Sequence, residues 1–140
     1  RFHTDLMASS LSAQKDPRSN KKLPYYSQYF DDQALGQDVF AFNIRDHPTI
    51  SSLIAMNYCF PPKNMIGLFL SHLQACKAKC MVILPDVYDS WYPILIQGLQ
   101  CDKEIIATTD STDAFWQFTK GSLQQCAPTT NMVAVLLNYE

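Results

Sequence analysis

The most chemically suggestive part of the sequence is a loop with two consecutive prolines, Pro61 and Pro62, within NYCFPPKN at 57–64. Each proline fixes its own φ and pushes the preceding residue into extended geometry, so the loop is stiff. It therefore holds the side chains on either side, Phe60 and Lys63, in a fixed relation. Chemistry on the exocyclic amine of a flipped base needs such a loop, with an acceptor oxygen before the prolines and a stacking ring after them. The prolines by themselves are also explained by a strand end followed directly by a helix start.

Carboxylates at predicted strand ends are the next candidates. Asp5 follows the first apolar segment, where it would either lie near a cofactor or cap a turn. Asp86 and Asp89 follow a later strand, and paired carboxylates there could act as acid and base, although we favour roles in turns and helix caps. Trp91 and Tyr92 could stack on a base, but aromatic residues at a helix start are more typical of packing. We expect Phe60 to lie in the core.

The five cysteines form neither a disulfide framework nor a metal motif: Cys59, Cys76, Cys80, Cys101 and Cys126. An odd number without a CxxC pair is typical of reduced, buried thiols in an intracellular protein, either nuclear or cytoplasmic. No histidine has a zinc-like spacing to the pair four residues apart, so we expect no metal site. The sequence also lacks an apolar run long enough to span a bilayer, and we expect no membrane partner.

Basic residues are concentrated in one turn-rich segment, KDPRSNKK at 15–22. The formal net charge is −2, so binding to nucleic acid would need such a local patch. This segment is either a solvated loop or a phosphate-contacting patch, with Tyr25 and Tyr26 nearby for stacking. Lys63 could also approach a phosphate. The candidate nucleic-acid-binding residues are therefore Lys15, Arg18, Lys21, Lys22 and Lys63.

Apolar patterning predicts alternating strands and helices. The predicted strands are Phe2–Ala8, 38–44, 55–60, 80–86, 104–109 and 131–139, with an extended segment at 23–30. The predicted helices are 63–79, 90–100 from an N-cap at Ser90, and a helical or mixed segment at 111–123 interrupted by Gly121. This alternation favours a single α/β domain over 1–140 around a mostly parallel sheet. We expect it to be cut from a longer chain, because the sequence begins with Arg and stops directly after a strand-like run. Ligands in such sheets bind beyond the carboxyl ends of strands, here DLMAS, CFPPKN and LPDVYDSW.

Five segments resemble, in order, a known enzyme family: DLMASSL, LPYYSQYFDD, YCFPPKNMIGLFLSHL, CMVILPDVYDSWYPIL and NMVAVLLNYE. The family is the Dam-like adenine methyltransferase domain. It is shared by phage Dam-type enzymes, DIRS-type retroelements and the phosphorylated-CTD-interacting factors, which methylate cap-adjacent adenosine in mRNA. The resemblance implies a Rossmann-like methyltransferase sandwich and matches Asp5 to an acidic position near the cofactor.

Two departures from this family fall in the Pro-Pro loop. Phe60 stands where the family has the acceptor Asn, and Lys63 stands where it has the stacking aromatic residue. Phenylalanine offers no acceptor, and the lost hydrogen bond costs at least about 1 kcal/mol in binding. The resemblance therefore implies a catalytically inactive domain that binds nucleic acid or protein, with no cofactor. By analogy, an active homologue is a further partner to expect.

Two other hypotheses remain open. One is an active S-adenosylmethionine-dependent adenine methyltransferase on DNA or RNA, in which Asn57 or Asn64 supplies the missing acceptor. The other is a plain protein-interaction domain of a retroelement or of a host gene derived from one.

Overall fold

The computed structural model describes residues 2–9, 12–44, 56–87, 102–119 and 121–139. Its central sheet has five strands: β1 (Phe2–Asp5), β4 (Met56–Cys59), β5 (Lys79–Pro85), β6 (Asp102–Ala107) and β9 (Met132–Asn138). The remaining described strands form two pairs, namely β2 (Tyr26–Ser27) with β3 (Gly36–Gln37), and β7 (Phe115–Thr119) with β8 (Ser122–Cys126). Within the described ranges the helical elements are α1 (Ile66–Cys76) and two short 3₁₀ helices at Val39–Ala41 and Lys63–Met65.

The strand order in the central sheet is β1-β4-β5-β9-β6. β1, β4 and β5 pair in parallel, whereas β9 runs antiparallel between β5 and β6. Four of the five strands consequently point the same way, and the chain is a mixed α/β protein with a mostly parallel sheet, as predicted. Parallel neighbours need a crossover connection, and α1 supplies the one between β4 and β5.

The predicted helix behind the Pro-Pro loop forms, and its apolar stripe makes the centre of the core. Ile66, Phe69, Leu70 and Leu73 recur at the helical period and are at most 1% exposed. α1 ends at Cys76 and is capped by Lys77, which adopts the left-handed conformation with φ of 51°, and Ala78 N donates to Leu73 O at 3.0 Å. The stripe packs in one cluster with alternate residues of the sheet, among them Cys80, Val82, Leu84, Val133, Val135 and Leu137.

Residues 38–44, predicted as a strand, instead begin with a 3₁₀ helix. Asp38 has φ of 66°, and its Oδ1 accepts a hydrogen bond from Phe40 N at 3.0 Å. This side-chain cap gives the backbone a local partner that competes with a sheet ladder. The apolar residues after Asp38 indicated a strand, and the strand prediction is wrong because the Asp38 cap favours a helical turn at this point.

The predicted helical or mixed segment at 111–123 is also wrong. β7 and β8 form an antiparallel hairpin over this region, and Thr119 pairs with Ser122 across a two-residue turn. Gly121 has φ of 80°, which suits a hairpin turn and not a helix interior. The aromatic and β-branched residues of FWQFT favour a strand on the same grounds. The helix predicted at 90–100 lies outside the described residues.

Candidate functional site

A cleft of about 670 Å³ opens beside the carboxyl ends of β1 and β4. It is lined by residues 6–9 and Ser12 after β1, residues 26–31 and 37–40, Phe60 and Pro62 after β4, and Met65 and Leu68. Because β1 and β4 are parallel neighbours, their carboxyl ends lie at one edge of the sheet. Two of the three strand ends that were predicted to border a ligand site border this cleft. The described residues that follow β5 do not line the cleft.

Asp5 directly precedes the lining residues 6–9 but does not itself line the cleft. It is 2% exposed, and its carboxylate accepts hydrogen bonds from Gln14 N at 3.1 Å and from Met7 N at 3.4 Å. Burial raises the pKa of Asp5 from 3.8 to about 6, against the opposing effect of these two hydrogen bonds. The observed contacts are those of a residue that fixes the turn after β1, the second of the two roles considered from sequence. Its place near a cofactor stays a prediction.

The Pro-Pro loop presents Phe60 to the cleft rather than to the core. Phe60 is 38% exposed, and its ring meets the Phe115 ring edge-on at a centroid distance of 5.3 Å. The prediction that Phe60 lies in the core is therefore wrong. β4 ends at Cys59, so Phe60 lies beyond the strand, and the buried Pro61 that follows holds it in extended geometry. Lys63 is exposed in the following 3₁₀ helix and does not line the cleft.

The two asparagines that flank the prolines do not reach the cleft. Asn57 is 7% exposed within β4, and its Nδ2 donates to Lys79 O at 3.0 Å. Its Oδ1 is buried without a hydrogen-bond partner. Asn64 is exposed in the 3₁₀ helix, and neither asparagine is among the lining residues. A carbonyl acceptor for an amine in the cleft therefore has to come from another part of the chain.

Acceptor oxygens do line the cleft. Two of them belong to Asp31, which follows the predicted extended segment 23–30, and to Asp38, the first residue of the predicted strand 38–44. Tyr25 donates its hydroxyl to Asp31 Oδ2 at 2.6 Å, and this bond, with burial and the charges of Asp31 and Asp32, raises the pKa of Tyr25 to about 12. The signal for Asp31 in the sequence was the density of aromatic and acidic residues in YYSQYFDD, which ends six residues before Asp38.

The basic segment folds into a tight reverse turn, here called the basic hairpin (residues 14–23). Leu23 N donates to Gln14 O at 2.7 Å and Asp16 N donates to Lys21 O at 2.8 Å, while Asp16 itself is 8% exposed. The hairpin is joined to the end of β1 through the bond from Gln14 N to Asp5. All four basic side chains are exposed, and none lines the cleft: Lys15, Arg18, Lys21 and Lys22.

The remaining sequence candidates are dispersed. Asp86 follows β5, and its backbone N donates to Asn131 O at 2.8 Å, whereas Asp89, Trp91 and Tyr92 lie outside the described residues. Cys59 and Cys80 are fully buried, and burial raises the pKa of both thiols. Within the described ranges no three His, Cys, Asp or Glu side chains are grouped as a metal site would require.

Comparison of the chain with protein-family models, with curated proteins and with solved structures finds no match. In the part of the chain that the structure describes, no helix has the length and apolar character that crossing a bilayer requires.

Proposed function

We propose that this chain is a Rossmann-like, methyltransferase-like domain that has lost methyl transfer and acts as a binding module for nucleic acid or protein. The observation that carries the proposal is the position of Phe60. It stands directly before Pro61-Pro62 at the end of β4, and its partly exposed ring lines the cleft. A ring without an acceptor cannot take a hydrogen bond from an exocyclic amine.

The order of strands in the central sheet supports the methyltransferase-like architecture in this proposal. β1 and β4 are adjacent and parallel, so the DLMAS and CFPPKN stretches that carry the family resemblance meet at one cleft. A crevice beyond the carboxyl ends of strands is the usual ligand position in open α/β sheets. The cleft is also large enough for a small molecule or a short chain segment.

The second candidate is an active S-adenosylmethionine-dependent adenine methyltransferase with a rearranged site. The observation that favours it is that Asp31 and Asp38 bring acceptor oxygens to the cleft. The version of this hypothesis that uses Asn57 or Asn64 has less support, because neither asparagine lines the cleft. S-adenosylmethionine would be the cofactor of this candidate, and the first proposal requires none.

Transfer of labelled methyl groups to DNA and RNA oligonucleotides separates the two candidates. We expect no transfer by the wild-type protein. Transfer that Asp38→Ala or Phe60→Ala abolishes would overturn the proposal and establish the second candidate. The double variant Phe60→Asn/Lys63→Phe restores the family pattern in the loop. Calorimetry with S-adenosylmethionine on the wild type and on this variant then separates two causes of inactivity. No binding indicates that the cofactor site is missing, and binding without methyl transfer indicates that the acceptor is missing.

The role as a binding module is tested by co-purification with the full-length protein. A bound nucleic acid, a bound protein or an active homologue would each support it, and recovery of the protein alone would count against it.

A further inference from the structure

The cleft is bordered by apolar side chains that the fold leaves exposed. Tyr29, Phe30, Phe60 and Leu68 line it and are 75, 84, 38 and 64% exposed. They come from two separate parts of the chain, which the fold brings to one place. Exposed apolar surface gathered at one site is typical of a surface that another molecule covers.

The charged side chains of this cleft are of one sign. Among the described residues that line it, only Asp31 and Asp38 carry a charge, and both are carboxylates. A phosphate backbone would be repelled here, because nucleic acids bind through Lys and Arg that neutralise their phosphates. A basic side chain is attracted by the same carboxylates, and arginine can in addition stack on an aromatic ring.

Both carboxylates are held in place by other contacts. Asp31 accepts from the Tyr25 hydroxyl at 2.6 Å and from Gln33 N at 2.9 Å, and Asp38 accepts from Phe40 N at 3.0 Å. Orientation before binding reduces the entropy lost when a partner docks.

We propose that this cleft docks an extended protein segment in which arginine alternates with large apolar side chains. The apolar side chains cover the surface made by Tyr29, Phe30 and Leu68, and the guanidinium groups meet Asp31 and Asp38. The inference rests on the proposed function, in that it assigns the cleft to binding a protein and not to methylating a base.

The methionines allow this docking to be observed directly. Met7 and Met65 line the cleft, whereas Met132 lies in β9, is 7% exposed and does not. Protein labelled with carbon-13 at the methionine methyl groups is titrated with acetyl-Leu-Arg-Phe-Arg-amide and, separately, with acetyl-Leu-Glu-Phe-Glu-amide. We expect the basic peptide to shift the Met7 and Met65 signals to saturation, and the acidic peptide to leave them in place. Met132 stays unshifted and reports that the fold is intact.

Matched variants test the charges and the apolar surface separately. We expect Asp31→Asn/Asp38→Asn to weaken binding of the basic peptide about tenfold, since each partly exposed ion pair contributes up to about 1 kcal/mol. Asp32→Asn is the control, because Asp32 is an exposed neighbouring carboxylate that does not line the cleft. Phe30→Ser should weaken binding, and Leu35→Ser, at an exposed apolar residue away from the lining, should not.

Several results would overturn the inference. They are an unchanged affinity in Asp31→Asn/Asp38→Asn, equal binding of both peptides, or shifts of Met7 and Met65 by a uridine octanucleotide or S-adenosylmethionine but not by the basic peptide. The methyl-transfer assay is independent of this titration. Methyl transfer by a protein that also binds the basic peptide overturns the proposed function alone. Failure of the titration without methyl transfer overturns the docking inference alone.

Discussion

Asp5 makes the stability of this protein depend on pH in a direction opposite to that of most carboxylates. Burial raises its pKa from 3.8 to about 6 in the folded protein. The folded state therefore holds the proton on Asp5 up to about pH 6, while the unfolded chain releases it near 3.8. Because the folded state binds more protons in this window, the free energy of unfolding falls as the pH rises through it. The difference between 3.8 and about 6 corresponds to a loss of about 3 kcal/mol, complete above pH 6.

The variant Asp5→Asn isolates this contribution. Asparagine cannot ionise but keeps one oxygen that can accept from Met7 N or Gln14 N, so it removes the charge and about one hydrogen bond. Urea unfolding of both proteins between about pH 3.5 and about pH 7 gives the difference in their free energies of unfolding. We expect this difference to move in favour of the variant by about 3 kcal/mol as the pH rises. Asp32→Asn controls for the loss of one carboxylate.

A difference that stays constant over this range would refute the reasoning, and so would one that moves toward the wild type at higher pH. The first result would mean that the two backbone hydrogen bonds balance the effect of burial on the pKa of Asp5, and the second that they outweigh it.

Three further predictions concern other parts of the fold. In a double-mutant cycle, Phe60→Ala and Phe115→Ala should show a coupling of about 1 kcal/mol in the free energy of unfolding, because the rings meet edge-on, and additive effects would exclude this contact. Gly121→Ala should lower the melting temperature, since its φ of 80° costs an L side chain about 1 kcal/mol, while no atom beyond its two chain neighbours lies within 4 Å of the added methyl. An unchanged melting temperature would argue against this turn. Affinity for single-stranded RNA, measured by fluorescence anisotropy, should fall with salt, and the slope of log binding constant against log salt concentration should be no steeper than about −3. RNA binding should be lost when the four basic residues of the hairpin are changed to Glu, namely Lys15, Arg18, Lys21 and Lys22. RNA binding that persists in this variant would exclude the hairpin from the interface.

Local sequence patterns were sufficient to predict those elements in which the apolar periodicity matches the burial that the fold imposes. The spacing of Ile66, Phe69, Leu70 and Leu73 gave α1, because a stripe at the helical period has to be buried against a sheet. The unbroken apolar runs predicted β5 and β9, because a strand inside a sheet that is covered on both faces has apolar residues on both faces. The Pro-Pro loop was correctly expected to border a cleft at a strand end.

Local patterns failed where one side chain or one backbone conformation overrode the apolar periodicity. Asp38 caps a 3₁₀ helix in place of a strand, and Gly121 closes a hairpin in place of interrupting a helix. Both residues can be read from the sequence, but their neighbours do not indicate that the side-chain cap of Asp38 or the positive φ of Gly121 overrides the surrounding apolar periodicity.

The amino-acid sequence by itself determined that β1 and β4 end in a DLMAS stretch and in a Pro-Pro loop, and that the loop carries Phe60 where an acceptor would stand. Only the tertiary structure decided which oxygens share the cleft with that ring. Asp31 and Asp38 reach it because residues 24–26 run alongside the end of β1, with Asp5 N donating to Pro24 O at 2.9 Å and Ala8 N to Tyr26 O at 2.9 Å. Contacts between residues so far apart in the chain depend on how the segments pack, and packing is a property of the whole fold that no short stretch of sequence encodes.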